Sequence, residues 1–508
     1  MIRRQHCRRE PLIQRLTLLQ LLTAIALCII TAGACAQEKP NIIYIYADDL
    51  GYGELGSYGQ KKIKTPNLDK LAANGMRFTQ HYSGSPVCAP SRAVLMTGID
   101  SGRNYIRNNS EWGRDRNPFG EGQEPLRPED VTIAELLKKQ GYNTAVAGKW
   151  GLGGPTTTGI PTKQGFDDFF GYHCQRQAHT YYPGHLWHND KQVPLNDKPI
   201  KGHYRFKKTP DDWSVVEGER YAPEAIAEHM LNWIGEASEK EEPFFFWYAS
   251  VIPHLALHVP DAKIKEYGYD ESMETEPYLG NKGYTPHPRP NAAYASMITY
   301  LDEQVGRIVK LLEKKGKLDN TLIIFSSDNG TTYLGGVDRF YFDSLQGMRG
   351  HKGNVFEGGL RVPMIASWPN QIKAGTTSDL ICAQVDMLPT LIQAAGGDAA
   401  EGIDGVSLLN TMTGAVTTEQ PRPEFYYWEL RNQQAIRQGD WKLVRVFNKA
   451  GKPTTYLFNI AEDRNEQSNL ADKHPERVKA MIQTITAHRT VPEIAAFRNS
   501  AFSSEAAK

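Results

Sequence analysis

Net charge is the first thing this sequence lacks: its 508 residues carry 58 Lys plus Arg against 58 Asp plus Glu. That balance excludes the broad positive field that draws a protein to nucleic acid or to an anionic membrane. Any anion the chain handles must be held by a local cluster of cations. Internal repeats and long low-complexity tracts are missing too, which excludes a solenoid. Cysteine is scarce, and three of the six (Cys7, Cys28 and Cys35) lie within the first 36 residues. The other three, Cys88, Cys174 and Cys382, can form at most one disulfide, so at least one thiol needs another explanation. Cys88 is the suspect. What is present is an ordinary globular composition, 40% hydrophobic and 23% charged, on a chain long enough for one large domain or two smaller ones.

The amino terminus stands apart. Arg3, Arg4, Arg8, Arg9 and Arg15 precede an almost unbroken apolar run from Leu16 to Ala34, followed by Ala34-Cys35-Ala36. A basic start, an apolar middle and a small-x-small site describe a secretory signal over 1–36, cleaved before Gln37, and place the mature chain outside the cell or in the periplasm. Retention as a membrane anchor is the lesser alternative, and no stable membrane insertion is expected.

Four buried-strand patterns follow: Asn41 to Ala47, Phe244 to Ser250, Thr321 to Ser327 and Val362 to Ser367. Continuous apolar runs of this length suit a parallel sheet covered on both faces. Helical stretches alternate with them, the longest from Ala292 to Lys315, where Tyr294, Ile298, Leu301, Val305, Ile308 and Leu312 keep a helical period. The expected fold is α/β, a large mainly parallel sheet sandwiched by helices. From about Glu424 short alternating runs and a helix from Pro475 to Ala487 point to a small C-terminal α+β subdomain with an antiparallel sheet. The expected division is 37–423 for the catalytic domain and 424–508 for the subdomain.

In open parallel sheets ligands sit beyond the carboxyl ends of strands. Asp48-Asp49 follows the first strand and Asp328-Asn329 the third. Either pair alone reads as turn chemistry; together, after two buried strands, they suit hard oxygen ligands for one cation.

Ser85-Pro86-Val87-Cys88-Ala89-Pro90-Ser91-Arg92, continuing through Leu95, Thr97 and Gly98, resembles the signature of the formylglycine-dependent sulfatases, members of the alkaline-phosphatase-like superfamily. In that signature Cys-x-Pro-Ser-Arg directs oxidation of the cysteine to an aldehyde. Ala47 to Gly53, Thr65 to Ala72, Gly141 to Trp150, Pro253-His254, Ser327 to Gly330, and Gly347 to Lys352 with Glu357 to Pro363 resemble further blocks of that family, in its order. The resemblance implies Ca2+ held by Asp48, Asp49, Asp328, Asn329 and position 88. It also implies a hydrated formylglycine at 88 that attacks sulfur, with Arg92 beside it. Lys149 and Lys352 would grip the sulfate oxygens and His254 would protonate the leaving oxygen. The implied partners are a formylglycine-generating or equivalent maturation enzyme and a sulfated carbohydrate.

Two positions depart from the family pattern. Gly151 stands where Gly-Lys-Trp-His has a histidine, which leaves the base for sulfate release unassigned among His81, His179, His185 and His351. Glu54 stands where Asp is frequent. The stretch from Gly171 to Trp187 packs His, Arg, Gln and aromatics together, and Arg176, His179 and His185 are its candidate substrate contacts, suited to a sugar ring bearing a charge. A galactose or N-acetylgalactosamine sulfate is favoured. The competing readings are a phosphonate or phosphate ester hydrolase of the same superfold and a non-catalytic glycan binder. Against the first stands the lack of evident histidine ligands beside the acidic blocks, which two-zinc phosphatases require.

Overall fold

The computed structural model describes residues 38–112, 118–274, 276–398, 401–415 and 423–503. The expected signal over 1–36 and the last five residues of the chain lie outside the described residues.

The strands are β1 (Asn41–Ala47), β2 (Met76–Phe78), β3 (His81–Tyr82), β4 (Asn143–Lys149), β5 (Asp168–Tyr172), β6 (His185–His188), β7 (Lys191–Pro194), β8 (Phe244–Ala249), β9 (Thr321–Ser327), β10 (Met364–Ser367), β11 (Thr376–Ser378), β12 (Cys382–Ala383), β13 (Tyr426–Leu430), β14 (Gln433–Gln438), β15 (Trp441–Phe447) and β16 (Pro453–Asn459). Ten of them form one sheet in the order β11-β2-β10-β9-β1-β8-β4-β5-β6-β7. The centre, β9-β1-β8-β4-β5, is parallel throughout. β10 runs antiparallel to β9, and β6 and β7 extend the other side as an antiparallel hairpin. The run from Val362 to Ser367 is therefore a strand of this sheet, but one that reverses its direction.

Burial explains the unbroken apolar strands. All residues of β1, β8 and β9 are buried. Alternate side chains of β1 enter two different cores: Ile43 and Ile45 join one side with the helix Pro290–Lys314, while Ile42, Tyr44 and Tyr46 join the other with the helices Cys88–Thr97 and Met387–Ala394. Period-2 alternation of direction with both faces covered leaves no solvent-facing position on the strand.

The second sheet has the order β13-β14-β15-β16 and is antiparallel throughout. One of its faces packs Trp428, Ala435, Val444 and Phe458 against Tyr82, Val355 and Leu360. The other packs Ile436, Leu443 and Leu457 on Met481 and Ile485 of the helix Pro475–His488. Near the carboxyl end Phe502 meets Phe447 edge-on, with ring centroids 5.1 Å apart.

A buried charge cluster joins this sheet to the loop before β10. Lys442 Nζ lies 2.9 Å from Glu357 Oε1 and 3.0 Å from Glu466 Oε1, all three side chains being fully buried. Glu357 also accepts from Tyr82 Oη at 2.8 Å and Arg361 Nη1 at 3.2 Å. Burial pushes the Glu466 carboxyl up to about 7, against the opposing pull of Lys442. Removing one partner of such a cluster strands the others, at about 3–5 kcal/mol. Lys442→Met is therefore expected to lower the chemical-denaturation midpoint by that order of stability. A midpoint within 1 °C or 0.1 M denaturant of the parent protein would contradict it.

Candidate active site

Parallel pairing decides where the chemistry can gather. Ala47 is level with Ser327, Tyr46 with Ala249, and Ala249 with Gly148, so β9, β1, β8 and β4 end together. The residues just past those ends are Asp328 and Asn329, Asp48 and Asp49, His254 a short loop later, and Lys149. Gly148 has φ +116°, and a Cβ there would overlap the Ala249 carbonyl. Only glycine permits β4 to lie that close to β8 and deliver Lys149 at this level.

Asp49 Oδ1 accepts from Asn329 Nδ2 at 2.8 Å across 280 residues of sequence, and the Asp49 amide donates to Asp328 Oδ1 at 3.0 Å. Asp49 itself takes φ +69°, an uncommon conformation for a residue with a side chain. The helix Cys88–Thr97 points its amino end at this group. Ala89 N–H is satisfied by Asn109 Oδ1 at 2.9 Å. The Cys88 thiol donates to Asp48 Oδ1 at 3.5 Å. Arg92 sits four residues further, on the same helix face, because 3.6 residues make a turn. Its Nε and Nη2 reach Asp328 Oδ2 at 3.3 and 3.1 Å, and Nη1 donates to the Lys149 carbonyl.

Two lysines close the ring. Lys149 Nζ is 2.5 Å from Asp48 Oδ2. Lys352 Nζ is 2.7 Å from Asp49 Oδ2 and 3.6 Å from Cys88 Sγ. His254 Nδ1 donates to the Leu255 carbonyl at 2.6 Å, which leaves Nε2 facing the centre, 3.7 Å from Asp49 Oδ2. The nine residues expected to form the centre, Asp48, Asp49, Cys88, Arg92, Lys149, His254, Asp328, Asn329 and Lys352, thus occupy one place.

The electrostatics suit a bound cation. Burial opposes the ionisation of Asp48, yet Lys149, His254 and Arg92 hold its carboxyl below the usual range. At Asp49 and Asp328 burial outweighs the cations: it raises both, and pushes Asp328 up to about 7 with Asp48 adding to the effect. Asn329 Oδ1 is buried without a hydrogen-bond partner. Carboxylates whose ionisation burial opposes, around an orphaned amide oxygen, are a hard-donor set of the kind calcium prefers. Burial pushes the Cys88 thiol up to about 12, so the unmodified side chain is a protonated, inert thiol. Cys174 and Cys382 are likewise buried, and neither joins a disulfide among the described residues.

The Gly171 to Trp187 stretch divides. His179 stacks on His254 with ring centroids 4.9 Å apart, and its Nδ1 bonds His203 Nε2 at 2.8 Å. Arg176 turns instead to an ion pair with Glu111, and His185 bonds Gln177 Nε2 at 3.0 Å and lies 3.1 Å from Glu121. Of the histidines weighed for the vacancy at Gly151, His81 is buried on β3 beside Cys382, its ring pushed down to about 3 by burial. His351 stacks under Tyr333 at 4.1 Å. Of the four, His179 stacks its ring on a central side chain, while His351 meets the centre only through the backbone carbonyl of Lys352 at 2.8 Å. Glu54 is structural: it accepts from the Gly51 amide at 2.5 Å, Tyr294 Oη at 2.8 Å and Thr331 Oγ1 at 3.0 Å, buttressing the loop that presents Asp48 and Asp49.

The family model described as Sulfatase matches residues 40–397. The chain belongs to the sulfatase family. A second model, N-sulphoglucosamine sulphohydrolase, C-terminal, matches residues 350–490. Arylsulfatase A of Bos taurus is 32% identical over 490 residues, covering 90% of this chain and 88% of that protein. N-acetylgalactosamine-6-sulfatase of Canis lupus familiaris is 30% identical over 402 residues, 78% of this chain and 69% of that protein. The crystal structure of Ps i-CgsB superposes with TM-score 0.70 at 27% identity, covering 88% of this chain and 92% of that one. This sulfatase is thus an enzyme acting on sulfate esters, with the large central sheet and small C-terminal sheet of its structural relatives. No helix among its described residues is long and apolar enough to cross a membrane.

Sequence reasoning missed one residue of this sulfatase. Gly151 has φ +77°, and a Cβ on it would lie 2.7 Å from Gln175 Nε2 and 2.9 Å from Gln175 Cγ. The Gln175 side chain therefore fills the space that a side chain at 151 would use. It is buried, and its Nε2 has no hydrogen-bond partner. The backbone makes the exchange possible: Trp150 and Gly151 donate to the carbonyls of Tyr172 and His173, so the loops after β4 and β5 run side by side. The signal was available in the missing side chain at 151, but nothing in the sequence said which residue takes its place. Gly151→Ala is expected to lower the melting temperature through the left-handed backbone, about 1 kcal/mol or a few degrees, and to add the displacement of Gln175. The double variant Gly151→Ala/Gln175→Ala should recover only the packing share. A double variant no more stable than Gly151→Ala alone would show that the two side chains do not compete.

Proposed function

We propose that this sulfatase hydrolyses the sulfate ester of a sulfated glycan with formylglycine formed from Cys88 and with calcium held by Asp48, Asp49, Asp328 and Asn329. The observation that carries the reading is the position of Cys88 Sγ, 3.5 Å from Asp48 Oδ1 and 3.6 Å from Lys352 Nζ at a helix amino end. When present, calcium and the hydrated aldehyde supply a Lewis acid for the sulfate oxygens and an attacking hydroxyl at position 88. The net reaction consumes one water and yields the alcohol and inorganic sulfate.

The protein's own groups do the rest. A sulfate monoester is an anion, and Lys149, beside Asp48, and Lys352, beside Asp49 and Cys88, hold its oxygens as point charges. Each is worth on the order of 3 kcal/mol in the transition state, by analogy with other buried oxyanion donors. Arg92 holds Asp328 and the Lys149 carbonyl, fixing both the metal ligand and the strand end from which Lys149 projects. The Gln175 amide offers a neutral donor on the β4 side, where the burial of its unpartnered Nε2 leaves hydrogen-bonding capacity unused. His254 is the proton donor to the leaving oxygen. Its Nδ1 is committed to the Leu255 carbonyl, so the transferable proton resides on Nε2. Burial and the charge of Lys352 hold this imidazole well below its ordinary range; an incoming anionic ester offsets that charge and restores its proton. His179, stacked on His254 and bonded to His203, orients the ring. The glycan preference draws on the names of the relatives, which include N-acetylgalactosamine-6-sulfatases, and on a crystal structure of Ps i-CgsB in complex with k-i-k-neocarrahexaose.

Cys88→Ala is expected to abolish turnover with an unchanged melting curve, and the peptide containing residue 88 should weigh about 18 Da less than its cysteine form after maturation. Calcium should be found in the same preparation by metal analysis. Full activity of Cys88→Ala would end the reading. Paired sulfate and phosphate esters of one alcohol separate it from a phosphate or phosphonate ester hydrolase, since the sulfate ester should be turned over faster.

His254→Gln should distinguish acid catalysis from mere packing. Loss is expected to be about 10²–10⁴-fold on a sugar sulfate, whose alcohol leaves poorly, and much smaller on a nitrophenyl sulfate, whose leaving group needs no proton. Equal losses on both would assign His254 a structural role.

A further inference from the structure

A cleft of about 700 Å³ opens beside the catalytic centre, between the segment 205–207, Glu274 with the segment 276–282, and the loop 333–340. Three features set it apart from an ordinary surface depression. The first is aromatic: Phe340 is 77% exposed and Tyr333 45%. They are two of only six large hydrophobic side chains exposed among the described residues, and both line this cleft. The second is cationic: Arg205, Lys207, Lys282 and Arg339 face it, and among the described residues none of the four makes an ion pair. Arg339 Nε is buried with no hydrogen-bond partner, and its guanidinium lies over the Phe340 ring at 4.8 Å. The third is that two of the three carboxylates on its wall are already engaged. Glu274 accepts from the amides of Asn291 and Ala292 at 3.1 and 2.7 Å, and Asp338 from those of Phe340 and Tyr341 at 3.0 and 2.9 Å. Among the described residues of the wall, Glu276 alone adds a carboxylate without such a hydrogen bond.

The cleft borders the centre through two short chains of contacts, although none of the nine central residues lines it. Tyr333 covers His351, whose Nδ1 bonds the carbonyl of Lys352, and Lys352 Nζ reaches Cys88 Sγ at 3.6 Å. On the other wall, His203, two residues before Arg205, contacts His179 at 2.8 Å and stacks on Tyr284 at 4.8 Å. Exposed aromatic faces suit the apolar faces of sugar rings, and unpaired cations suit their charged substituents.

We propose that this cleft binds anionic sugar residues next to the one that carries the scissile sulfate, so that the substrate is a polyanionic oligosaccharide rather than an isolated monosaccharide ester. The inference rests on the sulfated-glycan reading of the catalytic pocket. The charges it recognises are sulfate or carboxylate groups, and the aromatic platform of Phe340 and Tyr333 holds the ring between them.

The test uses the full chain carrying Cys88→Ala, so that binding is read without turnover. Calorimetric titration with short dextran sulfate, with oligogalacturonate of similar length and with neutral dextran separates sulfate from carboxylate recognition. At least one of the anionic series is expected to bind, more weakly as salt is raised, and neutral dextran at least about tenfold more weakly. Lys282→Ala/Arg339→Ala should weaken anion binding about tenfold, and Phe340→Ala several-fold, at unchanged melting temperature. Lys282→Glu should weaken it further, a second route should the double variant fold poorly. Binding of neither anionic series, equal binding of neutral dextran, or affinity unmoved by the charge variants would overturn the cleft assignment. Because these readings involve no hydrolysis, they stand apart from the failure of sulfate-ester turnover, which would count against the catalytic reading alone.

Discussion

Parallel strands that end at one level are the constraint from which the rest of this molecule follows. β9, β1, β8 and β4 are hydrogen-bonded neighbours, about 4.8 Å apart, with Ala47 level with Ser327 and Ala249 level with Gly148. A shift of one residue in any of these registers would rotate side chains to the opposite face and withdraw a ligand by more than 3 Å. The buried apolar sides of β1, β8 and β9 make such slippage costly, since both faces are committed to separate cores. The same packing that stabilises the sheet therefore fixes a carboxylate pair, a carboxylate with an amide, and a lysine on one small edge.

Bringing those groups together out of water is unfavourable unless charge is balanced. The centre contains three carboxylates (Asp48, Asp49 and Asp328) and three permanent cations (Arg92, Lys149 and Lys352), each ion-paired with at least one member of the other set. A divalent cation added to that set turns a neutral cluster into a positive one. A positive, desolvated cluster is what an anionic ester requires, and it also disfavours neutral ligands that bring no compensating charge. The chain's overall neutrality is thus no obstacle to anion chemistry; the field is generated locally.

How much of this was legible in the sequence follows from the range of each signal. The strands β1 and β9 were readable to the residue, because continuous apolar runs bounded by Asp-rich turns have no helical alternative of that length. The direction of β10 was not, since hydrophobicity carries no information on whether a strand runs with or against its neighbour. The Cys88 to Arg92 spacing places both side chains on one helix face, so their meeting was implied by local geometry. The insert was legible only as a collection of polar and aromatic types. Which of Gln175, Arg176, His179 and His185 turns inward depends on Glu111, Glu121 and Gln177, partners that no local pattern connects to them.

The C-terminal sheet contributes none of the nine central residues, yet it determines where one of them lies. Lys352 stands on a loop without regular structure, between Thr331, whose carbonyl accepts from its amide, and Gly353, whose amide donates to Pro86. β14 grips the same loop from outside: Gln433 Nε2 donates to the Gly353 carbonyl at 2.9 Å, and its Oε1 accepts from the Val355 amide at 3.3 Å. Two residues further on, Glu357 is tied to Lys442 of β15. A flexible four-carbon side chain on an irregular loop would lose much of its binding energy to conformational freedom. Clamped at Gly353, Val355 and Glu357, the loop has little freedom left, and Lys352 Nζ is held beside position 88. The small sheet is accordingly part of the catalytic apparatus in the energetic sense, although it never touches the site.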